Sequence, residues 1–261
     1  MIKVHHLNCV EIRSTGYGRA IGHCLLIEAG SRLVLIDAGI GLMDTKNPAN
    51  RIGRLLINVV GFRFNENWTA VRQIQRLGLD PGNVTDCVVS HLDPDHIGGL
   101  ADFQNSIVHV GLEEYEHFQS GNPRYLQHQL DHLPPVKTYA KTSDTWCGLE
   151  ARRIAVSETE IYLIPLFGHT LGHCGVALKS ETDWLFYVGD AYYLKEELTD
   201  PDHPIHALAE MRADDNQLRI NSLNKVRRIM IENPHILCVR IMLSNIRCNC
   251  SDNPINIYKQ E

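Results

Sequence analysis

The chain has no apolar run near the roughly 18 residues a membrane span requires, so no membrane partner is expected. Clustered lysine and arginine are missing too. A formal charge of −6 and a pI near 6.1 argue against a nucleic-acid partner, which calls for a basic stripe. Arg51, Arg54, Arg63, Arg72 and Arg76 lie close in sequence, but apolar residues separate them at helical spacing, the pattern of a solvated helix face. The 8 cysteines are scattered and, outside Cys248 and Cys250, not closely paired. That excludes a disulfide framework and fits a reducing cytoplasm. Cys248-x-Cys250 lacks the second half of a zinc motif and reads as tail thiols. Met1 to His6 enters a strand-like pattern directly, so no leader is expected and the expected location is cytoplasmic. Internal repeats and low-complexity segments are absent. Against these absences stands a hydrophobic content of 44%, enough for a sizeable core in one layered α/β unit.

Apolar alternation and turn residues predict strands over Val4–Ile12, His23–Glu28 and Leu33–Asp37. A helix is expected from Trp68-Thr69 through Leu77, stopped at Gly78, and further helices over Leu112–Gln119 and Asn216–Glu232. Residues 40–68 and 120–148 read as irregular, and both could overhang a site and set substrate choice. A last strand is expected over Cys238–Leu243.

The most informative segment is His91-Leu92-Asp93-Pro94-Asp95-His96-Ile97-Gly98-Gly99, which follows the apolar run Cys87 to Ser90. Four potential ligands fall within six positions, and the two glycines are expected to turn the chain into a helix. Imidazoles and carboxylates together suit zinc, manganese or iron. Asp95 and His96 are adjacent, so on a strand-end loop they can point to different sides and serve different ions, as a two-metal centre requires. Gly168-His169-Thr170-Leu171-Gly172-His173 follows the apolar run Ile161 to Phe167, and Trp184 to Val188 ends in Gly189-Asp190. Three strand ends, each delivering a ligand-type residue, make one site, because such ends collect along one sheet edge. His5 and His6, at a strand start, read as structural.

With these motifs the chain resembles the metallo-β-lactamase-fold hydrolase superfamily, from Leu35-Ile36-Asp37-Ala38-Gly39 to about Leu243. The family pattern is His-x-His-x-Asp-His, a Gly-His loop, a Gly-Asp strand end and a final histidine; His91, Asp95, His96, His169 and Asp190 match it. The resemblance implies a four-layer αβ/βα sandwich with the metal site along one sheet edge. It implies one metal on His91, Asp93 and His169, another on Asp95 and His96, and Asp190 bridging them. His173 would support its loop by hydrogen bonding. Gly189-Asp190-Ala191-Tyr192-Tyr193 is similar to the Gly-Asp-Ala-x-Tyr of N-acyl homoserine lactonases, which implies that Tyr193 donates to a substrate carbonyl or oxyanion, or else packs under the loop.

Two positions depart from the pattern. Asp93 stands where the family has its second histidine; either it ligates, as a glutamate does in diiron flavoproteins, or it only orients His91 or a water. Asn245, a poor ligand, stands where the final histidine is expected; either the second site is weakened or the tail departs from the family pattern altogether. One domain over 1–243 is expected, followed by an atypical polar tail over 244–261. The implied function is a metal-dependent hydrolase in which a metal-bound hydroxide attacks an ester or lactone carbonyl of a small-molecule substrate, with Asp95 moving a proton to the leaving group. One or two divalent ions are expected, zinc first, then manganese or iron. Other readings stand beside it: a hydrolase of thioesters or phosphoesters, an iron-dependent oxygenase, or a catalytically impaired, metal-poor homologue. No oligomeric state follows from the sequence.

Overall fold

A computed structural model describes residues 2–14, 18–156, 159–180, 183–239 and 242–243. Strands β1 (Lys3–Ser14), β2 (Gly18–Ala29) and β3 (Arg32–Ile36) form an antiparallel meander, extended outside β1 by β4 (Phe62–Arg63). On the other side of β3 come β5 (Val84–Val88), β6 (Ile107–Gly111) and β7 (Val136–Tyr139), all parallel to it. After the small hairpin of β8 (Thr145–Trp146) and β9 (Leu149–Glu150), a second sheet follows. It runs in the order β10 (Arg152–Ile154), β11 (Ile161–Pro165), β12 (Cys174–Lys179), β13 (Trp184–Tyr187) and β14 (Leu237–Val239). Finally β15 (Met242–Leu243) returns to the first sheet and pairs with β2.

Strict alternation along the strands builds the layers. Successive side chains of a strand face opposite sides. Thus Leu25, Ile27, Val34, Ile36 and Val88 of the first sheet meet Ile161, Leu163, Val176, Leu178 and Tyr187 of the second in one buried cluster. The opposite face of the first sheet, with Leu26, Leu35 and Cys87, packs on Ala70, Val71 and Ile74 of a helix over Ala70–Arg76 and on Phe118 of a helix over Leu112–Gln119. The outer face of the second sheet, with Ile164, Ala177 and Phe186, is covered by Leu223, Val226 and Ile229 of the helix Asn216–Glu232. Helix, sheet, sheet, helix is the αβ/βα sandwich that the resemblance implies. Each fully buried aliphatic side chain in these clusters contributes about 1.5–3 kcal/mol, and the central cluster joins the two sheets.

The helices over 112–119 and 216–232 coincide with the expected ones. Residues 40–68, expected to be irregular, hold short helices over Leu42–Lys46 and Arg54–Val60. The expected last strand is two strands in different sheets, β14 and β15. His5 and His6 are structural as expected: His5 pairs with Glu28, and His6 Nδ1 lies 3.0 Å from His23 Nε2. Among the described residues no helix is long and apolar enough to cross a membrane. The expectations for Asn245, Cys248 and Cys250 fall outside the described residues.

Candidate metal centre

Parallel pairing of β3 and β5 brings Asp37 and the loop from Ser90 onward to one edge of the first sheet. The ends of β11 and β13 bring His169 and Asp190 to the same edge of the second. The two edges are tied where Cys174 N donates to the Ser90 carbonyl at 2.9 Å. His96 lies in the short helix Pro94–Ile97, and its carbonyl accepts from Ala38 N at 2.7 Å. Gly98 and Gly99 open a 3-10 helix over Gly98–Asp102, in line with the turn into a helix expected of them. A short helix already begins at Pro94, and a Cβ on Gly99 would lie 2.3 Å from the Ala38 carbonyl oxygen. These glycines thus permit close backbone approach as well as the turn.

Asp37 organises the histidines. It holds a left-handed backbone, φ 53°, a sparsely populated conformation of the kind that clusters at functional sites. Its carboxylate accepts from Ser90 N, Ser90 Oγ, His96 Nδ1 and Tyr187 Oη, each at 2.7 Å. Burial works against its charge, but His96, His91 and the Ser90 amide hold it below the usual carboxylate range. Ser90 Oγ in turn lies 3.0 Å from His91 Nδ1. With both Nδ1 atoms engaged, the Nε2 atoms of His91 and His96 face the centre, the tautomer control found behind metal-binding histidines.

There they meet Asp190. Donor atoms of His91, His96 and Asp190 lie within 4.8 Å of one another, all buried. His91 Nε2, His96 Nε2 and Asp190 Oδ1 have no hydrogen-bond partner among the described residues. Three buried, unpartnered donor atoms aimed at one point carry a large desolvation cost unless a cation joins them. These residues therefore fit a divalent ion. Asp95 sits beside them, its Oδ2 3.9 Å from His96 Nε2. Burial raises the Asp95 carboxyl above its ordinary value, and the Asp190 and Asp93 carboxylates add to this against His96. Burial pushes the His91 imidazole down to about 4.

The other expected ligand group behaves differently. Donor atoms of His91, Asp93 and His169 also lie within 4.8 Å, but a guanidinium reaches into them. Arg124 Nε donates to Asp93 Oδ1 at 2.7 Å and Nη2 to Asp93 Oδ2 at 2.6 Å. Nη2 also lies 2.9 Å from His169 Nε2, while Nη1 donates to the Arg212 carbonyl at 2.8 Å and to Asp214 Oδ1 at 3.0 Å. Desolvation opposes the Asp93 charge, and Arg124 and the neighbouring imidazoles hold its carboxyl well below the usual range. Asp93 was expected to ligate or to orient His91 or a water; its carboxylate pairs with Arg124, as a buried carboxylate demands a cation, and Oδ2 also lies 3.1 Å from His169 Nε2 and 3.5 Å from His91 Nε2.

The remaining parts fix the two loops. His173 Nδ1 lies 3.0 Å from the Leu166 carbonyl and its Nε2 accepts from Asp190 N at 3.0 Å, the supporting role expected of it. Gly189 has φ 52°, and a Cβ there would lie 2.6 Å from His173 Nε2, so the strand end needs glycine. Tyr193 Oη lies 3.2 Å from His169 Nδ1. His169 Nε2 lies between the Arg124 guanidinium, at 2.9 Å, and Asp93 Oδ2, at 3.1 Å.

Sequence reading missed two residues of this site. Glu114 is buried and accepts from Leu92 N at 2.8 Å, Thr170 Oγ1 at 2.6 Å, Gly172 N at 3.2 Å and Tyr125 Oη at 3.0 Å. It thus ties the His91 loop to the His169 loop. Burial pushes its carboxyl up to about 7, against these hydrogen bonds. Arg124 lies in the stretch 120–148, marked in the sequence only as irregular. The one signal for it was Asp93 itself, a carboxylate where an imidazole is expected.

Comparison with known proteins agrees with the geometry. Residues 17–232 match the metallo-beta-lactamase superfamily. A probable metallo-hydrolase of Mycobacterium tuberculosis is 34% identical over 91% of this chain and 79% of its own length. An N-acyl homoserine lactonase of Bacillus cereus is 23% identical over 82% of this chain and 78% of its own. Among solved structures, an N-acyl homoserine lactone hydrolase with N-hexanoyl-L-homoserine bound at its catalytic metal centre superposes with a TM-score of 0.70 at 18% identity, covering 91% of this chain and 92% of that one.

Proposed function

The chain belongs to the metallo-beta-lactamase superfamily, whose members among its relatives are metallo-hydrolases, and on that footing we propose a metal-dependent hydrolase of ester or lactone carbonyls in small molecules. The observation that carries the reading is the convergence of His91 Nε2, His96 Nε2 and Asp190 Oδ1, buried and without hydrogen-bond partners. Those three residues would hold a divalent ion, zinc before manganese or iron, with Asp95 beside them. When bound, such an ion supplies Lewis acidity and a hydroxide nucleophile near neutral pH.

The chain's own groups do the rest. Tyr193 presents its O–H to the substrate carbonyl, where a donor stabilises the negative charge that develops on oxygen. Asp95 is the most open of the three carboxylates in this cluster, with side-chain exposure of 13% against 3% for Asp93 and 9% for Asp190. That exposure favours it as the group that passes a proton to the leaving alkoxide. Asp37 and His173 hold the imidazole and carboxylate donors in their orientations throughout. An ester or lactone is favoured over other acyl groups by the Gly-Asp-Ala-x-Tyr segment shared with the lactonases and by the lactonase relatives.

The test is a panel of lactones, linear esters, thioesters and phosphoesters, assayed with metal-loaded and chelator-treated protein. Lactone or ester hydrolysis that vanishes with chelation and returns with zinc supports the reading. Chelator-resistant hydrolysis, or turnover confined to thioesters or phosphoesters, overturns it.

A further inference from the structure

We propose that Arg124 is a built-in cation that takes the place of one metal ion, so that this chain is a one-metal centre held by His91, His96 and Asp190. The inference rests on the metal-dependent reading above and assigns its stoichiometry.

Several observations carry it together. A guanidinium offers five N–H donors in a rigid fork and stays charged throughout the accessible pH range. In Arg124 all five are used: Nε on Asp93, Nη2 on Asp93 and His169, Nη1 on the Arg212 carbonyl and Asp214. The side chain is only 14% exposed. A group satisfied at every donor by four different residues is part of the architecture.

The fork also removes ligand capacity. His169 Nε2 lies 2.9 Å from Arg124 Nη2 and 3.1 Å from Asp93 Oδ2. Whichever of the two it bonds, a metal reaches it only by displacing the Arg124–Asp93 pair. Both oxygens of Asp93 are likewise engaged by the bidentate pair, the strongest arrangement a carboxylate makes with a side chain. Charge tells the same story. Asp93 has the Arg124 guanidinium as its cation, whereas Asp190 faces the imidazoles of His96 and His169. The departure at position 93 and the arginine are then one change in two parts: an imidazole ligand replaced by a carboxylate, and a metal replaced by the guanidinium that carboxylate binds.

The experiment counts metal per full-length chain by inductively coupled plasma mass spectrometry after loading with excess zinc and desalting, with circular dichroism to confirm folding. Wild-type protein is expected to hold one equivalent. D93N should keep it, because Asp93 is not among its ligands. R124Q should take up a second equivalent, since it frees Asp93 and His169. If the unpaired Asp93 prevents R124Q from folding, D93H/R124Q removes the buried charge and should likewise hold two. Two equivalents in the wild type, loss of metal in D93N, or a single equivalent in the folded Arg124 variants would overturn the assignment. No metal at all in the wild type would instead mark failure of the metal-dependent reading, with the arginine assignment falling alongside it.

Discussion

Two clusters flank Asp190, only a few ångströms apart and built from the same kinds of residue, yet in opposite states. On one side Asp93 and His169 are closed around Arg124, with every donor of the guanidinium used. On the other, His91 Nε2, His96 Nε2 and Asp190 Oδ1 converge without hydrogen-bond partners among the described residues. Ligand-like spacing is common to both, since each group falls within 4.8 Å. Spacing of donor atoms is therefore a poor guide to metal binding. What separates the clusters is whether the lone pairs are already spent.

Substitutions can break or sharpen this contrast. The largest effect is expected from Asp190→Ala, which removes the carboxylate that converges with His91 and His96. Metal affinity should fall by more than about 100-fold, the upper end of what loss of a mere supporting group costs, and hydrolysis should reach background. A D190A protein that retains its metal, measured by mass spectrometry, would erase the distinction between the clusters. Next comes Tyr193→Phe. Loss of one oxyanion donor lowers kcat by about 10²–10³-fold, with metal content unchanged. If kcat in steady-state assays stays at the wild-type level, the hydroxyl serves only as a prop for His169.

Asp37→Asn sharpens the contrast further, because Asp37 touches His96 and Ser90 but neither Asp93 nor Arg124. Metal affinity should drop by about 10–100-fold, read by competition with a chromogenic chelator, while the Asp93–Arg124 pair is untouched. The smallest effect is expected from Glu114→Gln. Its amide replaces one acceptor oxygen with a donor facing other donors, at a cost of about 1.5–3 kcal/mol. A melting temperature lowered by about 3–12 °C would follow. An unchanged melt would mean that Glu114 does not tie the two loops.

Much of this was legible in the residues. His91, Asp95, His96, His169 and Asp190 all sit at strand ends that the structure collects on one edge, because alternation and turn signals mark such ends directly. His173 takes the supporting position its loop motif implies. Gly98 and Gly99 open the helical turn expected of them, but only the packed loop shows the Ala38 carbonyl that leaves no room for a side chain on Gly99. Glu114 was read as part of a helix and nothing more. Its four donors come from residues 92, 125, 170 and 172, and no local pattern announces such a convergence.

The sequence by itself carried the ligand loops whose resemblance implies the superfamily and the sandwich, because such motifs are written in contiguous positions. Only the tertiary structure decided which of those residues are free to bind. Asp93 and Arg124 are 31 residues apart in the chain, and Arg124 gains its other partners from His169, Arg212 and Asp214. A buried carboxylate must find a cation, but whether that cation is a metal ion or a side chain depends on what the fold brings within hydrogen-bond reach.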